Sequence, residues 1–223
     1  MGLPVTFCGN QPLSRQMQQN KQLTIKDCFR ASFLYSETII SGALGCSRRA
    51  VRARLERLQD AGEVHAVKLF AIEPPSHEAE ILYVHRPGKT VPTGQLAYIG
   101  DKYFRQAPRQ LTLWFPSKAF AARYGDYIGS DKLPEECLNK ANHHLLQSKV
   151  AVALLRRSGL SNWQPERQVE RDYDRKRKGV AVPDGILSGR IAIETLGRYP
   201  NIERKLRSLE SQFSRVQVWG VKV

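Results

Sequence analysis

The sequence has few cysteines, no long apolar run and a shortage of acidic residues. Its four cysteines lie far apart without a C-x-x-C pair, so we expect free thiols rather than a disulfide framework or a structural zinc site. The longest apolar run, residues 150–155, is much shorter than the roughly 18 residues that a membrane-spanning helix needs. Residues 1–20 show no basic start followed by an apolar stretch, so no secretory signal is expected. These absences predict a cytoplasmic protein with no membrane partner.

The shortage of acidic residues leaves a large positive charge. Lys and Arg number 35 against 21 Asp and Glu, which gives a formal net charge of +14 and a pI near 9.9. Such a field attracts polyanions, and nucleic acid is the commonest of them. An acidic membrane surface and a solvated basic surface without any polyanion partner remain alternatives. With 223 residues, 41% of them apolar, the chain can bury a core of one large or two ordinary domains, which excludes disorder throughout.

Composition divides the chain into four stretches. Residues 1–22 are rich in Gln, Asn, Ser and Gly, as a flexible arm would be. Residues 23–88 combine helical apolar spacing with β-type runs, and residues 89–134 are dense in aromatic and turn residues and predict a connecting subdomain. Residues 135–223 begin with a long helical pattern and end in β-rich sequence. We therefore expect a mixed α/β (α+β) protein.

A three-helix pattern with a tight turn begins at Thr24, a plausible N-cap for the first helix. A second helix is predicted over residues 37–44, and Gly45-Cys46 supplies the turn into a third helix capped by Ser47. Val51, Leu55 and Leu58 recur at i, i+4 and i+7 and face inward. The basic residues near the start of the third helix then face outward, and they are Arg48, Arg49, Arg52 and Arg54.

The stretch of residues 44–58 resembles the helix-turn-helix of winged-helix DNA-binding domains. That resemblance implies that residues 23–88 form a winged helix-turn-helix domain with a two-stranded wing beginning at residues 63–67. It also implies that the third helix enters the major groove of double-stranded DNA, where a guanidinium can bind guanine O6 and N7. Ser47, Arg48, Arg49, Arg52 and Arg54 would contact DNA. An ordinary three-helix bundle with a solvated basic face is the alternative.

A pair of carboxylates marks the second half of the chain. Nine residues separate Asp184 from Glu194, with residues 186–189 turning the chain between two β-type runs. A hairpin of this length would bring both carboxylates to one edge of a sheet. Two converging carboxylates are suitable ligands for Mg²⁺. Pro183-Asp184-Gly185 is also a common turn sequence, so a simple loop is the alternative.

The spacing of Pro183-Asp184 and Glu194 resembles the metal-binding core of the PD-(D/E)xK nuclease superfamily. The short motifs His143-His144-Leu145, Trp163-Gln164-Pro165-Glu166 and Val182-Pro183-Asp184-Gly185 resemble, more specifically, the replication-relaxation family and the MOBC-type plasmid relaxases. This resemblance implies a mixed-sheet nuclease-like domain over residues 135–223 that nicks one DNA strand at a plasmid transfer or replication origin. Asp184 and Glu194 would hold Mg²⁺ or Mn²⁺, and Glu166 would be the outer carboxylate. Plasmid-transfer proteins would be further partners.

One departure from the superfamily pattern leaves the enzymatic activity open. The superfamily has a lysine two residues after the glutamate, and this chain has Leu196 there. Arg198, on the same face if the strand continues, or Lys178 could replace that lysine, although arginine is a poor base because it stays protonated. The alternative is a non-catalytic transcriptional regulator, with a winged helix that binds an operator and a degenerate nuclease-like domain that forms a homodimer.

Two further basic stretches lie in the second half of the chain. Lys176, Arg177 and Lys178 lie among acidic residues and predict either phosphate contacts or a solvated loop. The last helical pattern places Ile202, Leu206 and Leu209 on one face and predicts that Arg204, Lys205 and Arg207 face outward. His144 is expected to pack near the carboxylates as a helix residue.

Overall fold

The computed structural model describes residues 23–75, 78–125, 129–173, 181–198 and 201–221. These residues form a mixed α+β structure with two sheets. The helices are α1 (Ile25–Ala31), α2 (Glu37–Leu44), α3 (Arg48–Asp60), α4 (Thr93–Phe104), α5 (Lys118–Tyr124), α6 (Glu135–Asn139), α7 (Ala141–Ser158), α8 (Glu166–Tyr173) and α9 (Ile202–Glu210). The strands are β1 (Tyr35–Ser36), β2 (Val64–Ala71), β3 (Glu80–His85), β4 (Arg109–Pro116), β5 (Trp163–Pro165), β6 (Gly185–Leu187), β7 (Ile191–Thr195) and β8 (Arg215–Gly220).

The first three helices begin and end at the predicted signals. Thr24 caps α1 in a capping box with Asp27, and the Ser47 side chain accepts a hydrogen bond from the backbone N–H of Ala50 at the start of α3. The turn between α2 and α3 uses Gly45 in the left-handed conformation at φ 64°, which glycine adopts without steric cost. The sequence predictions for α1, α2 and the start of α3 are therefore confirmed.

The smaller sheet has the antiparallel strand order β1-β4-β2. Its apolar face packs with α1, α2 and α3 around a core that includes Phe29, Leu34, Val51, Leu55 and Leu113. β2 pairs along its full length with β4, and residues 72–108 therefore connect two neighbouring strands of this sheet. We refer to this part of the molecule as the N-terminal unit.

The larger sheet has the order β3-β8-β7-β6-β5. Its pairs are antiparallel except β7 and β8, which are parallel and are connected through α9, as a parallel pair requires a crossover. Leu206 and Leu209 of α9 pack against Val216 and Val218 of β8. We refer to this sheet and its helices as the C-terminal unit.

The strand pairing does not follow the boundaries expected at residues 88 and 134. β3 lies within residues 23–88 but pairs with β8 of the C-terminal unit. β4, within the predicted connecting subdomain, is the central strand of the N-terminal sheet. The partner of the predicted wing strand is thus 38 or more residues further along the chain, because residues 72–108 are inserted between them.

Helix α7 joins the two units. The predicted long helix over residues 135–157 is divided into α6 and α7 at Lys140. The hydroxyl of Ser148 in α7 donates to the carbonyl of Leu34 and lies 2.9 Å from the Ser32 hydroxyl in the N-terminal unit. Val150 and Leu154 pack in the core beneath β7 and β8. No helix among the described residues is both long and apolar enough to span a bilayer.

Candidate functional site

The hairpin of β6 and β7 brings Asp184 and Glu194 together, as the spacing predicts. Gly185 lies opposite Ile193, so Asp184, the residue before β6, is level with Glu194. The backbone N–H of Thr195 donates to Asp184 Oδ2 at 2.8 Å. Both carboxylates are buried, with Asp184 5% exposed and Glu194 fully enclosed.

The turn and the neighbouring strand explain why this hairpin forms. Ser188 and Gly189 both have positive φ, 52° and 66°, the backbone geometry that two-residue hairpin turns prefer. The Trp163 ring of β5 packs on the α-carbon of Gly185 and leaves no space for a β-carbon. A glycine after Asp184 is therefore a steric requirement of the sheet.

A lysine from α9 lies between the two carboxylates. The ammonium group of Lys205 is 3.4 Å from Asp184 Oδ1 and makes a close ion pair with Glu194 Oε1. Burial alone would lower the pKa of Lys205, but the charges of Asp184 and Glu194 raise it well above its ordinary value. Lys205 is therefore charged, and its ammonium offsets part of the negative charge of the buried pair.

The helical pattern predicts Lys205 on the outer face of the last helix, and that prediction is wrong. Lys205 follows Ile202 by three positions and precedes Leu209 by four, so all three share the buried stripe of α9. Its side chain is 22% exposed, whereas Arg204 and Arg207 do face solvent. Its helical spacing from Ile202 and Leu209 was the sequence signal that could have identified Lys205 as a site residue.

Helix α7 covers the other side of the carboxylates. His143 Nε2 is 3.4 Å from Asp184 Oδ2, and the Gln147 amide donates to Glu166 Oε2 at 2.8 Å. His144 Nδ1 is 2.9 Å from Gln147 Oε1. The adjacent histidines thus have different partners: His143 contacts Asp184 directly, and His144 contacts Gln147, which donates to Glu166. We call Glu166, Asp184, Glu194, Lys205 and His143 the carboxylate cluster.

The acidic groups of the cluster have opposite pKa shifts. Burial raises the pKa of Asp184, but the charges of Lys205 and His143 outweigh burial and hold it far below its usual range. Burial, together with the charge of Asp184, raises the pKa of Glu166 to about 7. For His143, burial lowers the pKa, but the charge and hydrogen bond of Asp184 together with the charges of Glu166 and Glu194 raise it more, so the net shift is upward. At neutral pH the cluster therefore contains an ionised Asp184 beside a Glu166 that can gain or lose a proton.

A small cavity adjoins the cluster between the two units. It has a volume of about 30 Å³ and is lined by Phe33, Trp163, Glu166, Asp184 and Thr195, among other residues. That volume holds one water molecule or one ion and is far too small for a nucleotide. A phosphodiester would therefore have to approach from the side of His143 and Lys205, where the cluster is partly exposed.

The chemistry of the cluster is compatible with a divalent cation. Asp184, Glu194 and Glu166 offer carboxylate oxygens, the ligands that Mg²⁺ and Mn²⁺ prefer. A positive group, the Lys205 ammonium, already lies between two of them. In the part of the chain that the structure describes, no three His, Cys, Asp or Glu side chains are arranged as a preformed metal site. A cation would be bound by Asp184 and Glu194 only after the ammonium moved aside.

The structure does not bring Arg198 to the cluster. β7 ends at Thr195, so the alternation that would have put Arg198 on the face of Glu194 stops there. Arg198 is exposed, and its Nε lies 3.8 Å from Asp101 of α4. Leu196 is buried in the C-terminal core. Lys176, Arg177 and Lys178 lie outside the described residues.

The predicted DNA-contacting arginines lie exposed near the start of α3. Arg52 makes a two-pronged ion pair with Glu37 of α2, with both N–O distances 2.9 Å. Arg48 Nη1 is 3.4 Å from the Thr38 hydroxyl. Arg49 and Arg54 are exposed on the same helix, and Ser47 is its N-cap. Arg52 therefore has an intramolecular role, bracing α2 against α3, in addition to any contact with DNA.

Comparison with known proteins adds no family assignment: no family model, curated protein or solved structure matches this chain.

Proposed function

We propose that the protein binds the origin DNA of a mobile element and cuts one strand of it with Mg²⁺ or Mn²⁺. The observation that carries the proposal is the position of Lys205, whose ammonium lies between Asp184 and Glu194. The superfamily pattern requires two carboxylates and one lysine in contact. The pattern puts its lysine at position 196, where this chain has Leu196. Here Lys205 of α9 takes the place of that lysine, so the PD-(D/E)xK interpretation still has two carboxylates and a lysine.

The N-terminal unit supports the DNA-binding half of the proposal. Three helices are followed by β2 and then, after the insertion, by β4, and β1 completes a three-stranded sheet. This order is compatible with a winged helix whose wing is the β2–β4 pair, with residues 72–108 inserted between its two strands and contributing β3 to the C-terminal sheet. The exposed arginine face of α3 is then the recognition surface for double-stranded DNA.

Each member of the cluster has a role in hydrolysis. Asp184 and Glu194 would hold the cation, which supplies Lewis acidity and a more acidic water. Lys205, once its ammonium has moved aside for the cation, would stabilise the negative charge that develops on the phosphate. Glu166, with a pKa of about 7, can accept a proton from the attacking water at neutral pH. His143 holds Asp184 in place.

A nicking assay tests this proposal. Supercoiled plasmid carrying the DNA that flanks the gene is incubated with the protein and Mn²⁺, Mg²⁺ or EDTA. We expect open-circular product with a metal ion and none with EDTA. Asp184→Asn and Lys205→Arg should lower the nicking rate at least about a hundredfold, since each removes charge or geometry used in the transition state. Arg198→Ala is the matched control, a basic residue close in sequence but outside the cluster, and should nick at the wild-type rate.

A second function, a non-catalytic regulator, is favoured by one observation. Lys205 and His143 already provide positive partners for the buried carboxylates without any added cation. Such a cluster could serve folding alone, with the C-terminal unit used for homodimerisation. Specific binding with no cutting under any metal, and a footprint with two symmetric half-sites, would establish this function. An asymmetric footprint beside a strand-specific nick would establish the nuclease.

A further inference from the structure

The outer face of strand β2 carries an unusually exposed aromatic side chain. Phe70 is 73% exposed, the largest exposure among the large apolar side chains of the described residues. β2 is an edge strand, and the Phe70 ring projects from its exposed face together with the Lys68 side chain. An exposed apolar residue on an edge strand favours unwanted pairing between chains. A binding role would account for its presence.

The surroundings of Phe70 are basic and polar. Lys68 is exposed on the same face two residues earlier, and the strand register places Gln110 opposite Phe70 and Thr112 opposite Lys68. Arg109, the residue before Gln110, lies opposite Ala71 and so belongs to the other face of the strand pair, where it pairs with Glu73 at 3.3 Å. An exposed aromatic ring beside a positive group is typical of surfaces that bind single-stranded nucleic acid.

Strand β4 connects this surface with the arginine helix. Gln110 and Thr112 line a hollow of about 240 Å³ together with Arg48 and Arg52 from the start of α3. Glu37 and Glu73 line the same hollow and hold Arg52 and Arg109 in place. A DNA duplex bound to α3 would therefore extend towards the β2–β4 strand pair.

We propose that the β2–β4 strand pair binds an unpaired stretch of DNA next to the duplex held by α3, with a nucleobase stacked on Phe70. The inference rests on the proposed DNA binding and adds the form of the substrate to it. Every base has a flat π-face, so stacking on Phe70 tolerates any sequence, while Lys68 contacts a phosphate. A strand-nicking protein would use such a contact to hold DNA that is melted beside its site.

The experiment compares two probes made from the DNA that flanks the gene: a blunt 30-base-pair duplex and the same duplex with a 10-nucleotide single-stranded tail. Binding of the full chain is measured by fluorescence anisotropy in EDTA. We expect tighter binding of the tailed duplex by the wild type. Phe70→Ala and Phe70→Leu should lower affinity for the tailed duplex about tenfold and leave the blunt duplex unchanged, because each lacks a flat ring.

Two further variants separate stacking from folding and from charge. Phe70→Trp should keep the wild-type affinity, and the tail should quench the emission of its new indole. The wild type, whose emission comes from the buried Trp114 and Trp219 and the half-buried Trp163, is titrated alongside, so that only the additional quenching is assigned to position 70. Tyr98→Ala is the matched control, because Tyr98 is another aromatic that is 68% exposed, and it should bind both probes as the wild type does. Arg49→Ala should weaken binding of both probes alike.

The outcomes distinguish this inference from the function on which it rests. If the wild type binds both probes equally, or Phe70→Ala binds the tailed duplex as tightly as the wild type, the stacking site is refuted while DNA binding stands. If the wild type binds neither probe, the proposed DNA binding itself fails, and the stacking site fails with it.

Discussion

Charge is arranged in opposite ways in the two units of this protein. In the N-terminal unit the arginines of α3 lie on an exposed helix face, and Arg52, the one with a close acidic partner, is 58% exposed. In the C-terminal unit Asp184 and Glu194 are enclosed and contact a lysine that is itself mostly buried. The first arrangement can reach a large partner through solvent. The second has most of its charges matched within the protein.

The difference predicts different costs of mutation. Exposed charges are screened by water and salt, so their removal affects folding little and long-range attraction to a polyanion more. Buried charges have lost their hydration, so removing one partner leaves the other uncompensated. Variants in the C-terminal cluster should therefore reduce stability, and variants on α3 should reduce binding.

The largest effect is expected for Lys205→Met. It leaves Asp184 and Glu194 buried beside each other without the ammonium, which should lower the free energy of unfolding by about 3–5 kcal/mol. Chemical denaturation at pH 7 in EDTA measures this. The neighbouring exposed Arg204→Met is the matched control and should change stability by less than about 0.5 kcal/mol.

A charge-neutral triple variant tests whether compensation is the cause. Asp184→Asn, Glu194→Gln and Lys205→Met together remove both signs of charge and should recover most of the stability lost by Lys205→Met alone. Equal destabilisation in the single and triple variants would show that packing of the lysine stem, rather than its charge, is what matters.

A pH-dependent effect of intermediate size is expected from Glu166. Its folded pKa of about 7 exceeds the ordinary value of 4.5, so the folded state favours the protonated form. The resulting stability is complete below about pH 4.5 and is lost as the pH rises to about 7, a change on the order of 3 kcal/mol. Glu166→Gln cannot titrate and should be more stable than the wild type at pH 8, with the two converging at pH 4.5.

Thermal unfolding of both proteins in EDTA from pH 4.5 to pH 8 measures that difference. EDTA removes divalent ions that would otherwise bind the carboxylates and stabilise the folded state. If the wild type and Glu166→Gln show parallel pH profiles, the pKa of Glu166 is the same in the folded and unfolded states, and its role as a proton acceptor near neutral pH fails.

A smaller effect, confined to binding, is expected on α3. Arg49→Ala should weaken binding of duplex DNA about tenfold with little change in melting temperature, because the side chain is exposed. Arg52→Ala should also lower the melting temperature slightly, since it loses its ion pair with Glu37. Melting curves and binding titrations on both variants distinguish a residue that contacts only DNA from one that also braces the fold.

The sequence was sufficient where structure depends on neighbours in the chain. The capping residues Thr24 and Ser47 and the turn at Gly45 define α1 to α3 by local hydrogen bonds and backbone conformation. The spacing of Asp184 and Glu194 likewise fixes a short hairpin. In each case the interacting groups lie within about a dozen residues, so periodicity and turn chemistry are enough.

It was insufficient where partners come from distant segments. Nothing local indicates that β2 pairs with β4 rather than with the nearer β3, because both candidates are apolar and β-branched or aromatic. The contact of His143 with Asp184 joins residues about 40 positions apart through the packing of α7. Lys205 is an intermediate case. Helical spacing could have predicted its place on the buried stripe of α9, but the charged residues next to it in the sequence suggested an outward face.

The smallest effect is expected for Arg198, and it decides which basic residue serves the carboxylates. Arg198→Ala removes an exposed contact with Asp101 and should leave nicking unchanged and stability within about 0.5 kcal/mol of the wild type. Lys205→Arg keeps the charge but places a larger planar group between Asp184 and Glu194, so it should fold and nick poorly. The opposite result, in which Arg198→Ala loses nicking activity and Lys205→Arg keeps it, would mean that residues 196–198 rearrange when DNA binds. The lysine of α9 would then only balance charge, as the exposed Arg52 does for Glu37 on the other unit.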